Sequence, residues 1–173
     1  MAEPSQVRVV VMMGVSGVGK TTVGRALAER LGWAFADADA YHSADAKAKM
    51  ARGTGLSDAD RAPWLAALAT LIIARLDGGP SLVLACSALK RGYRDRLAGH
   101  DPRIAFLWLD ADPGTLRERL AGRADHFAGA DLLASQLEAL EPPQSDESRV
   151  YRLDALASVE HLVAEAVRWL AEG

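Results

Sequence analysis

The sequence lacks the features that mark several large classes of protein. It has one cysteine, Cys86, among 173 residues, which excludes an internal disulfide and any zinc site built from several cysteines. It has no basic excess, because 23 acidic residues outnumber 20 Lys and Arg, whereas a nucleic-acid-binding domain is usually basic. Its first apolar run, from Val9 to Met13, is too short for a signal peptide or a membrane span. We therefore expect a cytoplasmic protein with no nucleic-acid and no membrane partner.

What the sequence does contain is a regular alternation of short apolar runs with longer helical patterns. Half of the residues are hydrophobic, so the chain can bury the core of one domain, which we expect to cover residues 1–173. Continuous apolar strands separated by helices are typical of a parallel sheet covered on both faces. We therefore predict an α/β fold with three α/β/α layers around a mainly five-stranded parallel sheet. The strands are expected at 7–13, 33–37, 81–87, 103–110 and 149–154.

The first predicted strand runs directly into GVSGVGKT, residues 14–21. This segment matches G-x-x-x-x-G-K-[ST] in full, with the apolar strand before it and the helical pattern after it that this phosphate-binding loop requires. Backbone amides and the N-terminus of the next helix favour phosphate oxygens. Lys20 can reach the β- and γ-phosphates, and the Thr21 hydroxyl can ligate Mg²⁺. We therefore predict a nucleoside triphosphate site made by Gly14, Val15, Ser16, Gly17, Val18, Gly19, Lys20 and Thr21.

This loop identifies the donor of a phosphoryl group but not its acceptor. A GTPase, an ATPase motor, a nucleotide kinase and a small-molecule kinase can all carry it. The chain is too short for the extra subdomains of a motor, and it has no NKxD-like segment that would read guanine. A compact kinase is therefore the favoured interpretation.

An acidic pair follows the second predicted strand, in FADADAYH, residues 35–42. Ligands bind at the carboxyl ends of parallel strands, so this pair should lie at the same edge as the phosphate-binding loop. If the backbone stays extended from Asp37 to Asp39, both carboxylates point to one side. Asp37 can then help to hold Mg²⁺, and Asp39 can accept a proton from the acceptor hydroxyl or orient it. The alternative is a solvated turn.

Basic residues cluster after the third predicted strand, in CSALKRGYRDR, residues 86–96. A helix that begins near Ala88 would bring Lys90, Arg91 and Arg94 into adjacent turns, where they could bind an anionic substrate. An arginine fork suits a substrate carboxylate in particular. The alternative is a solvated basic face, in which Arg91 merely pairs with the aspartate four residues later.

A further arginine, Arg61, lies in DADRAPWL, residues 58–65. It either binds substrate or pairs with Asp58. The neighbouring Trp64 is expected to pack rather than to take part in chemistry.

The segment RERLAGRADHF, residues 117–127, places three arginines before an expected loop. In small kinases a mobile lid supplies arginines that offset charge on the transferring phosphoryl group. We predict such a lid at about 122–135, with Arg123 as its catalytic residue and His126 as a substrate contact. The two earlier arginines could instead be surface charges of a helix.

The sequence as a whole resembles the gluconokinase family, small P-loop kinases of the shikimate-kinase-like group. The matching segments are MGVSGVGKTTVG, DADAYH, KMARGTGLSDADRAPWL, CSALKRGYRDRL, RADHF and SQLEALEPP, in this order from residue 13 to residue 143. The phosphate-binding loop is general to a large class. The CSALKRGYRD, DRAPWL and LEALEPP segments are much more specific, and together they indicate this family.

The resemblance implies ATP-dependent phosphorylation of D-gluconate to 6-phosphogluconate, with Mg²⁺, a mobile lid and a homodimer. Carried over by position, residues 14–21 bind ATP, Asp39 and His42 lie at the acceptor site, Asp37 lies near the magnesium, and Arg123 belongs to the lid. Two alternatives stay open. One is a kinase of the same group that acts on shikimate or another sugar acid, and the other is a nucleotide-binding regulator that has lost turnover.

Overall fold

The computed structural model describes residues 6–122, 126–147 and 149–173, except for the side chains of 126–131. Five strands alternate with seven α-helices in this part of the chain. The strands are β1 (Val9–Met13), β2 (Ala34–Asp37), β3 (Leu82–Ala85), β4 (Ile104–Asp110) and β5 (Val150–Asp154). The helices are α1 (Lys20–Leu31), α2 (Ala44–Ala51), α3 (Asp58–Leu76), α4 (Arg91–Ala98), α5 (Pro113–Ala121), α6 (His126–Ala139) and α7 (Val159–Glu172), and a 3₁₀ helix covers Ala38–Tyr41.

The five strands form one parallel sheet in the order β2-β3-β1-β4-β5. Strand β1 lies in the middle, where Met12 is level with Ala85 of β3 and with Leu107 of β4. All five residues of β1 are buried, as expected for a central strand covered on both faces. The predicted α/β class and the five parallel strands are confirmed.

Two separate apolar layers cover the two faces of the sheet. Val10 and Met12 of β1 face a layer built with residues of α1, α5, α6 and α7. Val9, Val11 and Met13 face the opposite layer, built with residues of α3 and α4. This alternation along β1 follows from the two-residue period of a strand, and it produces the three layers that the sequence predicts.

Several helices begin where local sequence signals place them. Ser57 caps α3, because its Oγ accepts a hydrogen bond from the Asp60 N–H at 3.1 Å while Asp60 Oδ2 accepts one from the Ser57 N–H at 3.0 Å. Hydrogen bonds from the Ser57 N–H, from Lys49 and from the Ser57 side chain lower the pKa of Asp60 to about 2. Ser158 caps α7 with one such bond, because its Oγ accepts from the His161 N–H at 3.1 Å. Such caps satisfy amides that have no partner within the helix.

The helix after β3 begins later than the sequence suggests. We expected it near Ala88, but α4 begins at Arg91. Ala88 has a φ of 45°, a left-handed conformation that a right-handed helix cannot include. The segment between β3 and α4 is therefore a loop over the carboxyl edge of the sheet.

None of the helices in the described ranges combines the length and the apolar character needed to cross a membrane.

Candidate active site

The phosphate-binding loop connects β1 to α1, and its glycines have conformations that other residues rarely adopt. Gly19, the N-cap of α1, has a φ of 106°. Gly14 has a φ of 147°, and a Cβ there would lie 2.7 Å from the Leu109 carbonyl oxygen. Only glycine therefore fits at residue 14. The loop leads into the N-terminus of α1, which is the end that favours phosphate.

Lys20 is the first residue of α1, and its side chain folds back over the loop. Its Nζ donates to the Val15 carbonyl oxygen at 3.0 Å. Burial lowers the pKa of Lys20, although the negative charges of Asp39 and Asp37 act in the opposite direction. The ammonium group thus lies among the loop and the two aspartates, where it can meet the phosphates of a nucleotide.

Thr21 and Asp37 lie next to each other at the edge of the sheet. The Thr21 hydroxyl donates to Asp37 Oδ2 at 3.0 Å, and Asp37 Oδ1 accepts a bond from the Asp39 N–H at 3.0 Å. A hydroxyl beside a carboxylate provides oxygen ligands of the kind that Mg²⁺ prefers. In the described residues, no group of three or more His, Cys, Asp or Glu could hold a metal ion by itself. The remaining ligands would therefore be phosphate oxygens and water.

The backbone between the two aspartates is not extended as the sequence analysis supposed. Asp37 is the N-cap of the 3₁₀ helix Ala38–Tyr41, and Asp39 lies in the first turn of that helix. Both aspartates nevertheless line one cavity, because the turn carries Asp39 around the end of β2. The turn of the alternative interpretation is present, because Asp39 is exposed and its N–H donates to the Asp37 carboxylate, but both of its aspartates line the cavity.

That cavity has a volume of about 340 Å³ and lies at the carboxyl edge of the sheet. It joins the phosphate-binding loop to the end of β3 and to α6. Its lining consists of Ser16, Gly17, Gly19, Lys20, Thr21, Thr22, Asp37, Asp39, Met50, Ala85, Cys86, Ser87, Leu132 and Gln136. Of the predicted site residues, the structure brings together the loop, the lysine, the threonine and both aspartates.

His42 lies behind this cavity rather than among its lining residues. Its ring stacks on Trp64 with centroids 4.5 Å apart, and its Nδ1 is buried with no hydrogen-bond partner in the described residues. Burial lowers the pKa of His42, the charge of Asp39 raises it, and the charge of Arg61 lowers it further. His42 is therefore a largely neutral imidazole whose surroundings include the charges of Asp39 and Arg61. Trp64 packs, as expected, and donates from Nε1 to the Ala38 carbonyl oxygen at 2.7 Å.

Arg61 and Lys90 meet around Tyr93, a residue that the sequence analysis did not single out. Arg61 Nη1 donates to the Tyr93 hydroxyl at 3.1 Å, and that hydroxyl donates to Asp58. Lys90 Nζ pairs with Asp58 at 3.0 Å. Both cations also lie 5.7 Å from the centre of the Tyr93 ring. Asp58 thus pairs with Lys90 rather than with Arg61.

Arg94 does not lie open to a substrate. Its side chain is 2% exposed and forms an ion pair with Glu147, with Nε to Oε1 at 2.7 Å. Five hydrogen bonds go to Glu147 and to the carbonyl oxygens of Ala88, Leu89 and Glu141. These use all five N–H donors of a guanidinium group. This geometry supports a structural role for Arg94 rather than the predicted contact with a substrate.

Arg91 lies on the outer surface of α4. It makes two bonds to Asp146, at 3.0 and 2.8 Å, and lies 3.9 Å from Asp95. The arrangement of Arg91 therefore resembles the alternative prediction of a solvated basic face more than the prediction of a substrate contact.

Arg123 lies outside the described residues, as does the side chain of His126, so their predicted roles stay predictions. The lid expected at about 122–135 overlaps the same part of the chain. In contrast, Gln136 of α6 contacts the phosphate-binding loop, and sequence reasoning missed it. No local pattern distinguishes this glutamine, because its partner lies 120 residues earlier.

Comparison with known proteins shows where this architecture occurs. Residues 9–143 match the family described as AAA domain. The gluconokinase of Gluconobacter oxydans is 50% identical over 140 residues, which cover 81% of this chain and 79% of that protein. A solved sugar kinase from a Janibacter species, without ligand, is 45% identical with a TM-score of 0.88 over 95% of both chains. A solved gluconokinase from Sinorhizobium meliloti is 40% identical with a TM-score of 0.84, over 98% of this chain and 94% of the other.

Proposed function

The chain belongs to the gluconokinase family, and on that premise we propose that it transfers the γ-phosphoryl group of ATP to D-gluconate, giving 6-phosphogluconate. The observation that carries this proposal is the cavity in which Lys20, Thr21, Asp37 and Asp39 meet. A kinase needs a phosphate cradle, oxygen ligands for a metal ion and a base near the acceptor hydroxyl. Thr21, the last residue of the phosphate-binding loop, is hydrogen-bonded to Asp37, so the phosphate cradle and the oxygen ligands for the metal ion are adjacent. Asp39 supplies the base.

The residues divide the work as follows. The loop amides and Lys20 hold the β- and γ-phosphates and offset their charge. Asp39 accepts the proton of the acceptor hydroxyl as that oxygen attacks phosphorus. The Asp39 N–H bonds to Asp37, which holds Asp39 in position. We propose Thr21 and Asp37 as the residues that would hold Mg²⁺. When bound, its positive charge would offset the negative charge of the phosphates.

Gluconate supplies a carboxylate and a chain of hydroxyl groups. We propose that Arg61 and Lys90 meet the carboxylate, because these two cations lie together beside Tyr93. His42, which senses the charges of Asp39 and Arg61, would bond to a hydroxyl of the substrate. We further propose that Arg123 and His126 act from a lid over about 122–135, and that the enzyme works in the cytoplasm as a homodimer. Sedimentation of the purified protein tests the dimer.

The direct test measures ADP release from Mg·ATP with gluconate, shikimate, other sugar acids and nucleoside monophosphates offered in turn. We expect turnover with gluconate. Turnover only with shikimate or a nucleotide would overturn the choice of acceptor. Tight ATP binding without turnover on any acceptor would support the regulator instead.

The variant Asp39→Asn tests the role of the base. We expect kcat with gluconate to fall by about 10²- to 10⁴-fold, the usual contribution of a positioned base, with little change in ATP affinity. Asp45→Asn, on the exposed face of α2, is the matched control and should keep the wild-type rate. An Asp39→Asn variant as fast as this control would remove Asp39 from the mechanism.

A further inference from the structure

Gln136 links α6 to the phosphate-binding loop. Its Oε1 accepts a hydrogen bond from the backbone N–H of Ser16. Gln136 also lines the cavity that contains Lys20, Thr21 and Asp39. A side chain from the helix that overlaps the expected lid therefore lies where the phosphoryl group is proposed to move.

The chemistry of the two partners determines which way the carboxamide faces. A backbone N–H can only donate, so the atom of Gln136 that meets Ser16 must be the oxygen. The nitrogen Nε2 lies at the other end of the amide group and carries two N–H donors. Nε2 makes no hydrogen bond within the residues that the structure describes. Among these residues neither donor has a partner, so both can meet a ligand in the cavity.

The position of α6 next to the loop is held by apolar packing. Leu133, one turn before Gln136, is completely buried in the same core as Val15 of the loop. Leu137 packs against that core from the adjoining position of α6. Gln136 therefore projects from a well-packed helix face, and a group held in this way needs little reorganisation to meet a ligand.

We propose that Gln136 is a phosphoryl-binding residue, with Oε1 bracing the loop at Ser16 and Nε2 donating to the γ-phosphoryl group in transit. The inference rests on the proposed function. In the step concerned, the bond between the γ-phosphorus and the bridging oxygen of ADP breaks. The bond from that phosphorus to the acceptor oxygen forms, and the hydroxyl proton goes to Asp39. Donors aimed at charge that develops on the moving group act on the rate rather than on ground-state binding.

A neutral amide suits this position for an electrostatic reason. Lys20 already lies in the cavity with a pKa that burial lowers. A second cation beside it would lower that pKa further and would favour loss of the ammonium proton. Gln136 adds donors without adding charge.

The test compares kcat with the affinity for Mg·ADP in Gln136→Met, a variant of similar length that has neither the oxygen nor the donors. The β-phosphate of ADP rests in the loop, whereas ADP has no γ-phosphoryl group. We therefore expect kcat with gluconate to fall by about 10- to 100-fold, while the Kd for Mg·ADP stays within about 2-fold. A kcat equal to the wild-type value, or a fall in kcat matched by the same loss of ADP affinity, overturns the inference.

The variant Gln136→Glu separates the two ends of the carboxamide. Its carboxylate still accepts from the Ser16 N–H but has no donor for the phosphoryl group, so kcat should fall at least as far as in Gln136→Met. A rate equal to wild type would mean that the bond to the loop is sufficient. Glu138→Gln, on the exposed side of α6, is the control, and thermal melting checks that each variant folds. If the wild type itself did not phosphorylate gluconate, the proposed function would fail. If the wild type turned over and Gln136→Met matched it, only the Gln136 inference would fail.

Discussion

Replacing Arg94 by methionine should destabilise the protein without a specific effect on substrate binding. Arg94 and Glu147 form an ion pair in which the two side chains are 2% and 6% exposed. Burial raises the pKa of Glu147, but the bonds from Arg94 and from the Gln144 N–H lower it more, so the carboxyl is ionised. Methionine has a similar length but, among the residues that the structure describes, leaves this carboxylate with one hydrogen bond, from the Gln144 N–H at 2.8 Å.

The expected loss of stability follows from the buried charge. Removing one member of a buried ion pair costs about 3–5 kcal/mol, because the other charge stays desolvated without its partner. A domain of this size has a total stability of about 5–15 kcal/mol. Each kcal/mol corresponds to about 2–4 °C in Tm, so we expect Tm to fall by about 6–20 °C. Removing both charges, in Arg94→Met with Glu147→Leu, should restore much of the loss, since no unpaired charge then remains.

Urea denaturation followed by circular dichroism measures these free energies of unfolding. Arg96→Met, an exposed position in the same helix, is the matched control and should change stability by less than about 0.5 kcal/mol. An Arg94→Met variant as stable as this control, with a raised KM for gluconate, would refute the reasoning and favour a carboxylate-binding role.

Three further predictions concern the cavity and its surroundings. Asp37→Asn should raise the Mg²⁺ concentration needed for half of the maximal rate by about 10-fold or more, and an unchanged Mg²⁺ titration would contradict the proposed metal site. Cys86 is 2% exposed, and its burial raises the pKa of the thiol to about 12. Iodoacetamide should therefore alkylate Cys86 only in the unfolded protein. Fast labelling of the native protein would contradict this prediction. Because the pKa of His42 is lowered on folding, the unfolded chain binds more protons, and stability should decrease as the pH falls below 6.5. His42→Phe, which keeps an aromatic ring on Trp64, should flatten that slope in melting curves, and an unchanged slope would exclude His42 as its source.

Much of the fold could be predicted because the relevant signals are local. The apolar runs that form β1, β3 and β4 are short and continuous, which is typical of strands buried on both faces. Ser57 and Ser158 mark helix starts because a side-chain oxygen satisfies amides only two or three residues away. The loop at 14–21 is equally local, since its chemistry depends on backbone amides within one turn. Ala88 is the exception, because a left-handed alanine has no distinctive sequence signal.

The sequence by itself determined the strands, the helix starts after Ser57 and Ser158, the phosphate-binding loop and the acidic pair after β2, because each depends on residues close together in the chain. Only the tertiary structure decided the strand order β2-β3-β1-β4-β5 and the partners of long side chains. Arg94 pairs with Glu147, which lies 53 residues later in the chain. Gln136 accepts a hydrogen bond from Ser16, which lies 120 residues earlier. Whether an arginine meets a substrate or a buried glutamate depends on which segments the packed core brings together. Long-range packing therefore determines the partner of such a side chain, and local sequence patterns do not predict it.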